Sequence, residues 1–159
     1  MISNRPPILP VVIASGFGVG FSSIAPGTVG AILATCCWLG LSLLFPAFYM
    51  WGITMALILF FVIGGVWSAN RLQSYWGEDP SQVVVDEMVG MWISLLIVPA
   101  GKIEYVLMAF LLFRFFDIVK PLGIRKMERF PGGVGVMLDD VLSGVYSFIV
   151  LSVIRWIIE

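Results

Sequence analysis

From Pro6 to Asn70 the chain carries no charged side chain, a stretch that a soluble domain of 159 residues does not need. Crossing about 30 Å of hydrocarbon takes roughly 20 apolar residues. The run therefore supplies two passes, Val29 to Phe45 and Tyr49 to Ser68, separated by Pro46. Both are continuous, without the two-residue alternation of lipid-facing strands, so helices are expected rather than a barrel. Residues 6 to 28 are rich in Gly, Ser and Pro and read as a short apolar helix or re-entrant piece, ending in the turn Ala25-Pro26-Gly27-Thr28. Arg5 ahead of an apolar segment, with Ser23-Ile24-Ala25 in the place of a cleavage site, imitates a signal peptide. Gly16, Gly18 and Gly20 interrupt that segment, and further spans follow it, so its removal would not make the remainder soluble. The expectation is an all-α, multi-pass integral membrane protein. It has one domain, residues 1 to 159, with four to five membrane-embedded helices and a short N-terminal segment.

The second half places charges where they need a reason. Asp79-Pro80-Ser81-Gln82 has the pattern of a helix start, with Asp79 as N-cap and Pro80 at the first helical position. That helix is expected to reach about Val98 before Pro99-Ala100-Gly101, with Asp86 and Glu87 about two turns in. Its uncharged part, Met88 to Gly101, is short for an independent span, so the helix enters at the interface or tilts within a bundle. A further helix is expected over Ile103 to Lys120, stopped by Pro121, then a polar, basic loop to Gly135. The last helix runs from Val136 to Ile158 with Asp139 and Asp140 in its first turns.

Arg5, Arg71, Lys120, Arg125, Lys126 and Arg129 fall on one side of this arrangement, Lys102 and Arg155 on the other. The positive-inside rule then assigns the N-terminus and the 70 to 85 and 120 to 135 connections to the cytoplasm, and with them every carboxylate cluster: Asp86-Glu87, Asp117 and Asp139-Asp140. Ionisable groups at membrane depth are costly and usually face a cavity, a partner or a pathway. Asp86 and Gly90 are four apart, as are Asp140 and Gly144. Each acid is thus followed one turn later by a residue without a side chain, which opens space beside it or allows close helix packing. Arg114, Asp117 and Lys120 recur at every third position and share one side of their helix, as an intrahelical ion-pair ladder or as cations for a phosphate.

Several chemistries are excluded. The chain has no His, and its two Cys, Cys36 and Cys37, lie in an apolar run far from the acids, which disfavours zinc. A thiol phosphatase needs an Arg close after its nucleophile, but the next after Cys37 is Arg71. No Asp-x-Asp nucleophile pattern joins the acid clusters. A net charge of −1 without a basic stripe leaves no nucleic-acid footprint. Mg²⁺ prefers oxygen ligands and uses carboxylates together with water and substrate phosphate, and five acids suffice for one or two such ions. Metal-assisted hydrolysis is what these residues suit. Two rivals stay open: an ion-coupled transporter relaying cations through the acids, and a structural subunit. The first is opposed by the lack of a visible inverted repeat and by the gathering of the acids at one surface. Gly-rich faces permit a homo-oligomer, but packing within one chain uses the same pattern.

Ala25-Pro26-Gly27-Thr28-Val29-Gly30, Val85-Asp86-Glu87-Met88-Val89-Gly90-Met91-Trp92, Phe113-Arg114-Phe115-Phe116-Asp117-Ile118-Val119-Lys120-Pro121 and Gly132-Gly133-Val134-Gly135-Val136-Met137-Leu138-Asp139-Asp140 together resemble the bacterial phosphatidylglycerophosphatase A family. The four motifs stand in the family's order and cover nearly the whole chain. Departures are small: Ala31 follows Gly30 where many members have Ser, and Leu122-Gly123-Ile124 replaces a Pro-containing variant. The resemblance implies an all-helical, multi-pass inner-membrane phosphatase, Mg²⁺-dependent, that converts phosphatidylglycerophosphate to phosphatidylglycerol. The expected metal ligands are Asp86, Glu87, Asp117, Asp139 and Asp140, with the catalytic acids among Asp86, Asp117 and Asp140. Arg114, Lys120 and the Thr28 turn are the expected phosphate contacts. Direct water attack and an aspartyl-phosphate intermediate both remain open.

Overall fold

Pro46 separates the two long apolar runs as expected. In the computed structural model, which describes residues 5–159, they form α2 (Pro26–Leu44) and α3 (Ala47–Trp76). The short α1 (Ile8–Ala14) precedes them. After them come α4 (Val85–Leu95), α5 (Ile103–Val119) and α6 (Gly132–Ile158), so the described residues form an all-helical fold. Two 3₁₀ turns, Val19–Phe21 and Ile124–Arg129, complete it. Three helices, α2, α3 and α6, are long and apolar enough to cross a membrane. Their outer faces expose large apolar side chains such as Leu43, Phe48, Ile63 and Trp156, as a lipid-facing surface does.

The centre is α4. Every one of its residues except Glu87 is buried, because α2, α3, α5 and α6 all pack around it. Trp92 donates its indole N–H to the Ala34 carbonyl of α2 at 3.0 Å and meets Phe61 of α3 edge to face. This satisfies the one polar atom of the largest side chain on α4. The side toward α6 carries glycine on both helices. A Cβ on Gly90 would strike the Phe113 ring and the Asp140 carbonyl, and one on Gly144 would strike the Gly90 carbonyl. These glycines serve backbone-to-backbone packing; they do not open space beside the acids.

Several boundaries depart from the sequence expectation. The α4 helix begins at Val85 and not near Asp79, so Asp86 and Glu87 lie in its first turn, not two turns in. Asp79 is no N-cap: its φ of 49° puts it in the left-handed region. The segment ahead of α4 is held by a tertiary bond, since the Val84 N–H donates to the Ala14 carbonyl at 2.8 Å. Gly20 fits against the same segment, where a Cβ would strike the Gln82 carbonyl. The α3 helix runs eight residues past Ser68, to Trp76. On this extension Asn70 accepts a hydrogen bond from the Gly133 N–H at 2.7 Å. That contact stabilises an earlier start of α6, at Gly132 instead of Val136, so Asp139 and Asp140 lie beyond its first turn.

At the end away from the acids, Lys102 pairs with Glu159 at 3.0 Å, and Arg155 donates to Glu159 at 2.8 Å and to the Ile97 carbonyl at 3.0 Å. The loop-based grouping of Lys102 with Arg155 is thus reproduced in space. Overpacking a close helix contact costs about 1–3 kcal/mol. Gly144→Ala is therefore expected to lower the thermal unfolding midpoint in detergent micelles. Gly40→Ala, where a Cβ would meet nothing within 4 Å, is the control that should leave the midpoint unchanged or raised.

Candidate active site

At the α4–α6 contact the acids come together by helix geometry. Asp86 stands one turn before Gly90 and Asp140 one turn before Gly144, so the glycine contact brings the two carboxylates to the same place. Ligand oxygens of Asp86, Glu87 and Asp140 lie within 4.8 Å of one another. Asp86 and Asp140 are buried, and Glu87 is half-buried. The Asp86 carboxylate also accepts the Glu87 backbone N–H at 3.0 Å. Glu87 reaches to the first turn of α2, where it fills the position that a Cβ on Gly27 would take. A carboxylate at a helix N-terminus is favourably placed toward the positive end of the helix dipole.

The remaining expected residues divide into two ion pairs flanking this trio. Arg114 and Asp117 of α5 form a close, largely buried i,i+3 pair, and Asp117 adjoins Asp140. Lys120 does not extend that pair into a ladder. Its ammonium bridges Asp139 of α6 and Glu128 of the 3₁₀ turn, each at 2.6 Å. To do so Lys120 adopts a left-handed φ of 49° at the end of α5, a conformation that disfavours side-chain-bearing residues by about 1–2 kcal/mol. Burial alone would lower the Lys120 pKa, but the hydrogen bonds from Asp139 and Glu128 outweigh it and hold the pKa above the ordinary lysine value. Lys120 is thereby fixed as a cation.

Thr28 lies in the first turn of α2, next to the Gly27 that Glu87 abuts. Of the five acids expected as metal ligands, three are gathered and two, Asp117 and Asp139, are engaged by the flanking cations. Sequence reading singled out the turn that contains Gly27 but assigned no role to Glu128 or Asn70. Glu128 is the one acid among Arg125, Lys126 and Arg129, and that isolation was its only signal.

Three buried oxygens matter for what this site can hold: Glu87 Oε2, Asp140 Oδ1 and Asp139 Oδ1 have no hydrogen-bond partner, and neither does Arg114 Nε. Buried polar groups are rarely left so, because their desolvation is then uncompensated. An all-oxygen, histidine-free set of three carboxylates with two unpartnered oxygens fits a hard divalent cation such as Mg²⁺. A free guanidinium nitrogen beside it fits a phosphate oxygen.

Residues 12–155 match the family model described as Phosphatidylglycerophosphatase A. The chain belongs to the phosphatidylglycerophosphatase A family. A Bacteroides thetaiotaomicron protein, provisionally named a phosphatidylinositol-3-phosphatase, is 60% identical over 157 residues, covering 98% of this chain and 99% of its own length. Two proteins named phosphatidylglycerophosphatase A are also similar. That of Haemophilus influenzae is 38% identical over 149 residues, 91% of this chain and 88% of its own, and that of Escherichia coli K12 is 34% identical over 138 residues, 86% and 77%. No solved structure matches the chain. As a member of the phosphatidylglycerophosphatase A family the chain is a membrane-embedded phosphatase.

Removing one partner of a buried ion pair leaves an uncompensated charge, on the order of 3 kcal/mol. Arg114→Met is expected to lower the unfolding midpoint, and Arg114→Met with Asp117→Leu to recover much of it. Thermal melts of the two proteins in the same micelles check this.

Proposed function

We propose that the chain removes the monoester phosphate from the headgroup of an anionic phospholipid, in an Mg²⁺-dependent hydrolysis at the cytoplasmic surface of the bacterial inner membrane. The observation that carries this reading is the trio of buried Asp86 and Asp140 with half-buried Glu87, in which two oxygens are unpartnered, beside the unpartnered Nε of Arg114. Asp86, Glu87 and Asp140 would hold the ion. Bound there, Mg²⁺ supplies Lewis-acid polarisation of the phosphoryl group and a more acidic water.

The chain's own residues have separable tasks. Arg114, steadied by Asp117, neutralises phosphate oxygens. Asp140, with one oxygen free, is the acid placed to take a proton from the attacking water. Lys120, held between Asp139 and Glu128, is the second cation offered to the phosphate. The Thr28 turn adds backbone donors at the start of α2. A lipid keeps its acyl chains in the bilayer while its headgroup reaches these groups, so it need not be extracted.

Family membership makes phosphatidylglycerophosphate the first substrate to consider. The provisional name of the relative at 60% identity favours a second, a phosphatidylinositol phosphate. Purified protein offered each lipid in turn decides between them. Phosphate release should stop with a chelator and return with Mg²⁺, and Asp86→Asn and Asp140→Asn should each lower turnover by at least about a hundredfold. Normal turnover from both variants would sink this site. For orientation, single cysteines at Arg125 and Glu159 in a chain lacking Cys36 and Cys37 are to be probed with an impermeant thiol reagent on intact cells. Labelling is expected at 159 and, until the membrane is opened, not at 125.

A further inference from the structure

Beyond the carboxylate trio, the acidic end has a cleft of about 360 Å³ between the end of α3, the loop after it and the start of α6. Its size falls within the range of small-molecule sites. Gln73, Glu78, Asp79, Glu128, Arg129 and Asp139 supply its polar wall. Four carboxylates against one guanidinium make it a poor home for a second phosphate. Among the described residues only Asp86, Glu87 and Asp140 gather as three potential metal-ligand groups, and none of them lines the cleft. A charged wall likewise disfavours an acyl chain.

What suits carboxylates, an amide and a guanidinium together is a neutral polyol, whose hydroxyls donate to the first and accept from the others. Asp139 adds an independent sign. Its side chain is only 9% exposed, one oxygen is held by Lys120, and the other has no partner. The Gln73 amide meets Glu78 at a long 3.3 Å, a contact readily exchanged for a hydroxyl. Asp139 is also the neighbour of Asp140 in the trio, and Lys120 ties it to Glu128 across the cleft. The cleft therefore borders the turn of α6 that also carries Asp140 of the trio.

We propose that this cleft binds the polyol part of the headgroup, glycerol or inositol, while the monoester phosphate lies at the trio, so that Gln73 and Glu78 determine headgroup specificity. This rests on the phosphatase reading above. The test compares inorganic phosphate, glycerol 3-phosphate and inositol 3-phosphate as inhibitors of lipid turnover by the purified protein. At least one polyol phosphate is expected to inhibit at about tenfold lower concentration than inorganic phosphate, a difference equal to one or two neutral hydrogen bonds. Which of the two does so identifies the polyol. In Gln73→Leu the advantage should fall to about twofold with inhibition by inorganic phosphate unchanged, and the exposed-loop variant Glu78→Ala should move the same way. Equal inhibition by all three, an advantage that survives both substitutions, or parallel loss of phosphate inhibition would overturn the assignment. If the unaltered chain hydrolyses neither lipid, the phosphatase reading fails, and calorimetric titration with the same three compounds judges the cleft alone by the same criteria.

Discussion

The backbone contact between Gly90 and Gly144 is the constraint on which the acidic end depends. Two helices meeting through side chains lie 8–10 Å apart, and only small residues let backbones approach more closely. Because each key acid lies one turn from its glycine, the separation of Asp86 from Asp140 is inherited from that contact. Phe113 closes the remaining side of Gly90, so α5 brings Arg114 and Asp117 into register with the same point. Packing and electrostatics are thus one device: a methyl group at either glycine would move a carboxylate.

Charge is distributed with similar economy. Two of the five acids are matched by cations from α5, Asp117 by Arg114 and Asp139 by Lys120. Arg114 lies on α5 and Lys120 caps its end, both engaged by acids outside the trio, so the trio is left without a salt bridge among the described residues. Concentrating unneutralised carboxylate at one buried point is unfavourable for an empty protein and favourable for a cation-loaded one. The surrounding pairs hold the scaffold so that this point need not contribute to it.

Much of this could be read from the sequence, and the reasons for the rest are local. The uncharged run with Pro46 in its middle gave α2 and α3, and Pro121 gave the end of α5, because hydrocarbon thickness and a missing N–H are properties of the chain itself. The starts of α4 and α6 could not be read that way. Asp79-Pro80 has the residue types of a cap, but the bond from Val84 to Ala14 and the seat of Gly20 against Gln82 fix that segment by contacts with residues more than sixty positions earlier. Asn70 similarly extends α3 and starts α6 through one long-range hydrogen bond. The acids were visible because charge is scarce in an apolar chain. Glu128 was hidden because a charge in a polar loop attracts no notice.

The burial of α4 has a consequence for how the protein is made. Eleven residues rise about 16 Å, half the hydrocarbon thickness, and the helix begins with two acids, so α4 cannot enter the bilayer alone. Its seat is walled by α2 and α3, made before it, and by α5 and α6, made after it. The seat of α4 is therefore complete only once α6 has been made, and the acids become a site only then.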